Sequence, residues 1–315
     1  MFSSFPKIWT LGHKNTKNIF ENVVEITEKV DGSQFGWGKV NGELVVRSKG
    51  QQMFIDNPNN MFNEAVSYIR SIEHLIPDNS YYYGEYLRKR KHNMIEYDRI
   101  PKHYIALFAA FVDEQLVPNY YELKEISNNF NIDVVPSLFE GKIEFETWED
   151  LLRQIEKFLD TTSFLGGSKI EGIVIKNYYK DFMIGGDACV YMPLTSAKYV
   201  SDQYKEKHNK NWKKEKTSKG RFETFCENFR SEARWEKAII HMKEKGELQD
   251  EPKDIGPLIK EIQNDIIEEE QDFIKNFLWT EFKDNVLRKS IAGFPQYYKN
   301  RLIKEQFIGD MEENK

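Results

Sequence analysis

The chain has 315 residues, 40% of them hydrophobic and 30% charged, with a formal net charge of −6; that is room for two domains and the balance of a folded protein. The acidic balance excludes a surface coated in positive charge, so any nucleic acid would be held by local basic patches. Two cysteines, Cys189 and Cys226, exclude a disulfide framework or a four-thiolate zinc site. With no basic-then-apolar leader and no run of about 18 apolar residues, we expect a cytoplasmic, monomeric protein without a membrane partner.

Lys29-Val30-Asp31-Gly32 precedes a predicted hairpin, in which residues 34–40 and 43–48 flank Asn41-Gly42, the strongest short hairpin signal. Beyond Asn57-Pro58, Phe62, Val66, Ile69, Ile72 and Ile76 recur at helical spacing and predict a helix to about Ile76. Residues 81–87 and 105–112 read as strands. Thr147 with Asp150 resembles a capping box, opening a helix that carries Leu151, Leu152, Ile155 and Leu159 and closing at Gly166-Gly167. Residues 170–176 and 188–192 are further strands. From about Tyr204 strand signals vanish. Phe222, Phe225, Phe229, Ile239 and Ile240, then Ile255, Leu258, Ile259, Ile262, Ile266 and Ile267, fall at helical spacing among Lys and Glu. The pattern predicts an α+β fold, with mixed sheets and helices over 1–203 and an all-helical domain over 204–315.

A lysine amine attacks only after losing its proton, and its ordinary pKa is about 10.4. An electropositive, metal-containing pocket lowers that value and makes the amine reactive towards phosphorus, and Gly32 would let the backbone pass close to a nucleotide. Four such residues recur by chance; their weight comes from what surrounds them. The stretch Glu28-Lys29-Val30-Asp31-Gly32-Ser33-Gln34-Phe35 resembles the nucleotidyl-lysine motif of the covalent nucleotidyltransferases. It is most similar to the RNA ligase 2 and RNA-editing ligase branch of ATP-dependent RNA ligases, whose motif runs K-[IV]-[HD]-G-[ST]-[NQ]-F. DNA ligases more often carry a basic residue after the glycine, so Ser33-Gln34-Phe35 leans towards RNA.

Further segments resemble that superfamily's motifs in order. Arg47-Ser48-Lys49-Gly50 is similar to R-[ST]-x-G, which implies an arginine on the nucleotide ribose. Gly84-Glu85 is similar to the G-E motif, with its carboxylate directed at the sugar. Phe108 stands where an aromatic stacks on adenine. Glu171-Gly172-Ile173-Val174-Ile175-Lys176 is similar to the motif in which the glutamate helps hold a divalent metal and the lysine contacts phosphate. Lys198 falls where the last lysine-bearing strand belongs. Two departures stand out: Ala109 follows Phe108 where the family usually has aspartate, so that either Asp113 substitutes spatially or the position is dispensable, and Lys198 lacks the second lysine of a K-x-K.

The resemblance implies a domain of antiparallel β-sheets with flanking helices. It implies ATP as AMP donor, with Mg²⁺ or Mn²⁺ held at Glu171. Glu28, Lys29, Asp31 and Gly32 would surround the nucleotide, with Lys29 becoming covalently linked to AMP. AMP would then pass to an RNA 5′-phosphate, and an adjacent 3′-hydroxyl would displace it. For gripping RNA, Arg88, Lys89, Arg90 and Lys91 follow Glu85 directly, and a second basic run from Lys205 to Arg221 includes Lys213 and Lys214 around Trp212. A DNA ligase or capping guanylyltransferase would share the Lys29 chemistry but normally carries an OB-fold. The helical pattern after residue 204 and the 28 residues before Lys29 leave no place for one. The alternative of another class is a non-catalytic RNA-binding protein on a decayed ligase scaffold.

Overall fold

In the computed structural model, residues 4–56, 60–179, 182–184, 190–192, 194–201 and 218–302 are described. Alternation sorts the side chains of each strand onto two faces, and the register of the strands then decides which residues meet. A strand β1 (Trp9–Thr10) leads to β2 (Val24–Lys29), which ends on Lys29. β3 (Ser33–Val40) and β4 (Glu43–Ser48) form the expected hairpin, Val40 opposite Glu43. Asn41 and Gly42 turn it with φ of 52° and 79°, as a tight hairpin turn with both central residues left-handed requires. β5 (Gln52–Met53), helix α1 (Asn63–Ser71), β6 (Ser80–Tyr86), β7 (Ile105–Val112) and β8 (Gln115–Leu116) follow. After helix α2 (Tyr120–Asn129) come β9 (Asp133–Val134), β10 (Ser137–Gly141), helix α3 (Trp148–Glu156) and β11 (Gly172–Asn177). β12 (Phe182–Ile184), β13 (Val190–Met192) and β14 (Thr195–Val200) complete this part.

These strands build two large sheets and a separate β12-β13 pair. One has the order β1-β14-β11-β2-β10; the other runs β5-β4-β3-β6-β7-β8, with β9 also paired to β7. All pairings are antiparallel except β1 with β14 and β7 with β9. Each sheet buries its outer face. Val24, Ile26, Ile173 and Ile175 pack with Leu151 and Ile155 of α3, whereas Phe35, Trp37, Tyr82 and Tyr86 pack with Val66 and Ile69 of α1 and Leu123 of α2. Smaller apolar clusters around Val30, Leu87 and Tyr97, and around Phe5, Tyr83 and Leu194, join the inner faces.

Two details depart from the periodicity. The helix expected to reach Ile76 ends at Ser71, and a separate 3₁₀ turn, Glu73–Leu75, delivers Ile76 to the core. α2 carries too weak an apolar stripe to be legible, although Asn119 caps it by accepting the Glu122 N–H. The Thr147 hydroxyl accepts the Asp150 N–H as foreseen. Cys189 lies outside the described residues, and Cys226 is a free, exposed thiol.

The C-terminal region is helical: α4 (Ser218–Glu227), α5 (Glu232–Glu244) and the long α6 (Ile255–Ser290). Phe225 stacks on Phe277 with ring centroids 3.7 Å apart, and Arg234, 1% exposed, ties α5 to α6 through Asp265 and Glu270. Ile255, Ile259 and Ile267 are exposed, so α6 does not bury the stripe its spacing outlines. The boundary expected near 204 falls among residues 202–217, outside the described residues, as do Lys205, Lys207, Lys210, Lys213, Lys214, Lys216 and Trp212. No described helix is long and apolar enough to cross a membrane.

Candidate active site

β2 belongs to one sheet and β3 to the other, so Val30-Asp31-Gly32 is the crossing between them, and Lys29 stands at its edge. Gly32 is there because nothing larger fits: a Cβ would lie 2.9 Å from the Tyr86 carbonyl and 2.8 Å from Leu87 Cδ1. Asp31 fastens the following loop. Its carboxylate accepts the Met94 and Ile95 N–H groups at 2.7 and 2.8 Å and the Asn93 amide at 3.1 Å, while its own N–H donates to Tyr97 Oη. Glu28 points to the opposite face of β2, where it accepts from Ser163 Oγ at 2.6 Å and the Phe164 N–H. Asp31 and Glu28 thus shape the site through backbone they hold.

Register lays out the inner face of the first sheet. Lys29 lies opposite Gly172, Thr27 opposite Val174, and Glu25 opposite Lys176; on the other side Val174 faces Lys198 and Lys176 faces Ser196. Lys29, Lys198 and Lys176 therefore share one face in successive rows. Lys29 Nζ donates to Glu171 Oε2 at 2.6 Å, with the two side chains 28% and 15% exposed. Burial pulls the Lys29 ammonium down, but Glu171, with Asp31 and Glu85 behind it, outweighs burial and holds it above the ordinary lysine value. Burial raises Glu171, with Lys29 opposing, and pushes the Glu85 carboxyl up to about 8 despite Lys29. Burial also brings Lys198 down to about 8, against the pull of Glu269.

Lys176 sits deeper. It is 4% exposed, donates to the Phe108 carbonyl at 2.9 Å and lies 3.7 Å from Glu25, which also accepts from Tyr178 Oη. Phe108 occupies a bulge: the β6–β7 ladder passes from Tyr83–Ala109 to Gly84–Leu107 and leaves Phe108 as the extra residue. Bulges re-aim a side chain next to functional sites, and here the Phe108 ring contacts both inter-sheet clusters, with Phe5 edge-on at 5.2 Å. Ala109 is buried beside Phe5, Tyr83 and Leu194. Asp113 is no substitute for the missing aspartate: it lies on the exposed turn after β7, at φ 48°.

Glu85 and Arg47 both lie on the second sheet. Glu85 is opposite Gln34, while Arg47 and Tyr83 flank Gly36 on either side, which puts both on the face that meets Lys29. Arg88, Lys89, Arg90 and Lys91 are exposed on the loop after β6; Arg88 pairs with Glu64 at 2.8 Å. Arg88 and Lys89 line, with His92, Lys243 and Lys245, a cleft of about 1020 Å³ between this loop and α5. His92 closes the basic cluster that follows Glu85, and its contact with Ser33 is not legible from that run. Its Nδ1 accepts the Arg88 N–H at 3.4 Å, so Nε2 carries the proton that meets Ser33 Oγ at 2.9 Å. Glu25 was missed, though alternation from Lys29 places it on the same face.

A family model described as RNA ligase matches residues 22–200, more than half of the chain and every strand of both sheets except β1. Among solved structures, Naegleria gruberi RNA ligase with PPi is 20% identical, with a TM-score of 0.49, over 66% of this chain and 58% of that one. A point mutant of that ligase with AMP and Mn gives 20% and 0.47 over the same shares, and another with ATP and Mn gives 19% and 0.46. The chain thus spans 58% of the length of these ligase structures. No curated protein sequence matches it. The matched span carries the Lys29 crossing, the Phe108 bulge and the lysine-bearing face together, and the chain belongs to the RNA ligase family.

Proposed function

We propose that this protein is an ATP-dependent RNA ligase that works through AMP linked covalently to Lys29. The observation that carries the reading is the Lys29 amine held by Glu171 at the crossing between the two sheets, on the sheet face shared with Lys198 and Lys176. Lys29 Nζ attacks the α-phosphorus of ATP; the N–P bond forms, the bond to the β-phosphate oxygen breaks and pyrophosphate leaves. Glu171 holds the amine as an ammonium until metal and phosphate take that carboxylate; burial then favours loss of the amine proton to solvent, which frees the nucleophile. Lys198, one row away, faces the developing charge on the phosphoryl oxygens. Lys176, pinned to the Phe108 carbonyl, fixes the strand whose ring would stack on adenine. Arg47 and Glu85 address the ribose from the second sheet. An oxygen of an RNA 5′-phosphate then displaces Lys29 from phosphorus, and a 3′-hydroxyl attacks that 5′-phosphate and releases AMP. Such transfers are driven mainly by positioning and charge.

A hard divalent cation fits this set. Three carboxyl groups, Glu171, Asp31 and Glu85, act on Lys29, and Glu171 and Glu85 both offer oxygen ligands that a cation would draw into the charged form. Among the described residues no cluster of three potential ligands exists, so Mg²⁺ or Mn²⁺ would rest on Glu171 and substrate phosphate, the usual arrangement for such ions. When bound, the ion would supply positive charge at the phosphoryl oxygens. The RNA would approach past Arg88 and Lys89. We place the protein in RNA repair, acting as a cytoplasmic monomer.

Incubation with ATP or GTP labelled at the α-phosphate tests the reading. Label should stay on the protein with ATP, resist denaturation and vanish in Lys29→Ala. Labelling by GTP alone would point to capping chemistry, and no labelling by either would leave a non-catalytic RNA-binding scaffold.

A further inference from the structure

Two C-terminal carboxylates reach the site around Lys29 and Lys198. Glu269 of α6 lies 3.5 Å from Lys198 Nζ and 3.4 Å from Lys7 Nζ, and the adjacent Glu268 also reaches Lys7. Glu244, the last residue of α5, is 5% exposed, hydrogen-bonds Ser33 and acts on Glu85 through its charge. A seam beside it holds the helix end in place: Gln51 Nε2 donates to the Lys245 carbonyl at 2.6 Å, and a Cβ on Gly50 would lie 2.9 Å from Lys245 Cγ.

These contacts have opposite signs. Glu269 neutralises Lys198, the lysine that a phosphate would need. Glu244 places a second buried carboxylate near Glu85, and like charges out of water oppose each other. The docked helices therefore satisfy the cation of the site while leaving its anions in conflict. An entering triphosphate is a polyanion that brings its own charge to Lys198, and it cannot share that ammonium with Glu269 without further repulsion.

We propose that α6 is an internal latch on the nucleotide site, in which Glu269 and the phosphates of ATP compete for Lys198, so that the docked helix holds off nucleotide and bound nucleotide releases the helix. The proposal rests on the site around Lys29 and Lys198 being the ATP site.

Adenylylation alone, with labelled ATP and no RNA, tests it. Glu269→Gln should lower the ATP concentration for half-maximal labelling by about threefold to tenfold, the worth of one partly exposed ion pair. Lys7→Gln, which loosens α6 without touching Lys198, should shift it the same way. Hydrogen exchange on the unaltered chain gives a readout independent of chemistry: an ATP analogue that cannot be cleaved at the α-phosphate should raise exchange in α6 around Glu269. It should lower exchange around Lys29. An unchanged or higher half-saturation in Glu269→Gln, or added protection of α6 by the analogue, would overturn the latch and make Glu269 a positioning residue for Lys198. If Glu269→Gln does not fold, the exchange measurement decides. If neither the natural chain nor any of these variants labels, the ligase reading itself fails and takes the latch with it.

Discussion

At Lys29 the structure shows an ammonium held by a carboxylate. Glu171 keeps it protonated, and once that carboxylate turns to another cation, burial is left to pull the amine down. Gly32 is the steric condition for this arrangement. Gly32→Ala would drive a methyl into the Tyr86 carbonyl and Leu87, so we expect a loss of about 1–3 kcal/mol, seen by chemical denaturation, and slower adenylylation. His92 adds a pH dependence. Burial lowers its ring from 6.5 to about 4, so the unfolded chain takes up the proton first. The stability from the neutral ring is complete above pH 6.5 and is lost as the pH falls towards 4. Roughly 2–3 kcal/mol should disappear over that window, and a thermal melt series should show His92→Gln lacking this part of the acid sensitivity.

Among the elements, β7 and the pair α5–α6 make contrasting cases. β7 was legible to the residue as a strand, 105–112, because an apolar run of that length with β-branched and aromatic members suits a buried strand. Its bulge at Phe108 was not, because a bulge depends on how β6 pairs with it. α5 and α6 were legible as helices, yet what joins them is a charge cluster rather than the Ile stripe. Arg234, 1% exposed, answers Asp265 and Glu270. Arg234→Ala would strand those two acids, and breaking a buried ion pair costs about 3–5 kcal/mol. Hydrogen exchange should show α5 and α6 losing protection while β2 and β11 keep theirs.

For the molecule as a whole, the two sheets make the cleft and the C-terminal helices close one side of it. Lys29 and Glu85 come from different sheets, Glu171 precedes β11 and Lys198 lies on β14, the two successive strands on one side of β2, and Glu269 comes from a helix more than two hundred residues beyond Lys29. The expected competition between Glu269 and ATP belongs to this scale, since no single element contains both partners. The basic loop after Glu85 faces α5 across the cleft of about 1020 Å³, so the helical region forms a wall of the path we assign to RNA.

Local pattern by itself determined the hairpin at Asn41-Gly42, the strands carrying Glu85, Phe108 and Lys176, and the helical character of the C-terminal region. Each follows from alternation, turn chemistry or helical spacing within a short window, and the ordered motifs were enough to indicate the family. The tertiary structure alone decided three things: that Lys176 is buried against Glu25 and the Phe108 carbonyl, that Asp113 is remote from Phe108, and that Glu269 meets Lys198. Strand register and helix docking set these distances. They arise from contacts between residues far apart in the chain, where burial and unlike charge act across elements that no window of sequence brings together.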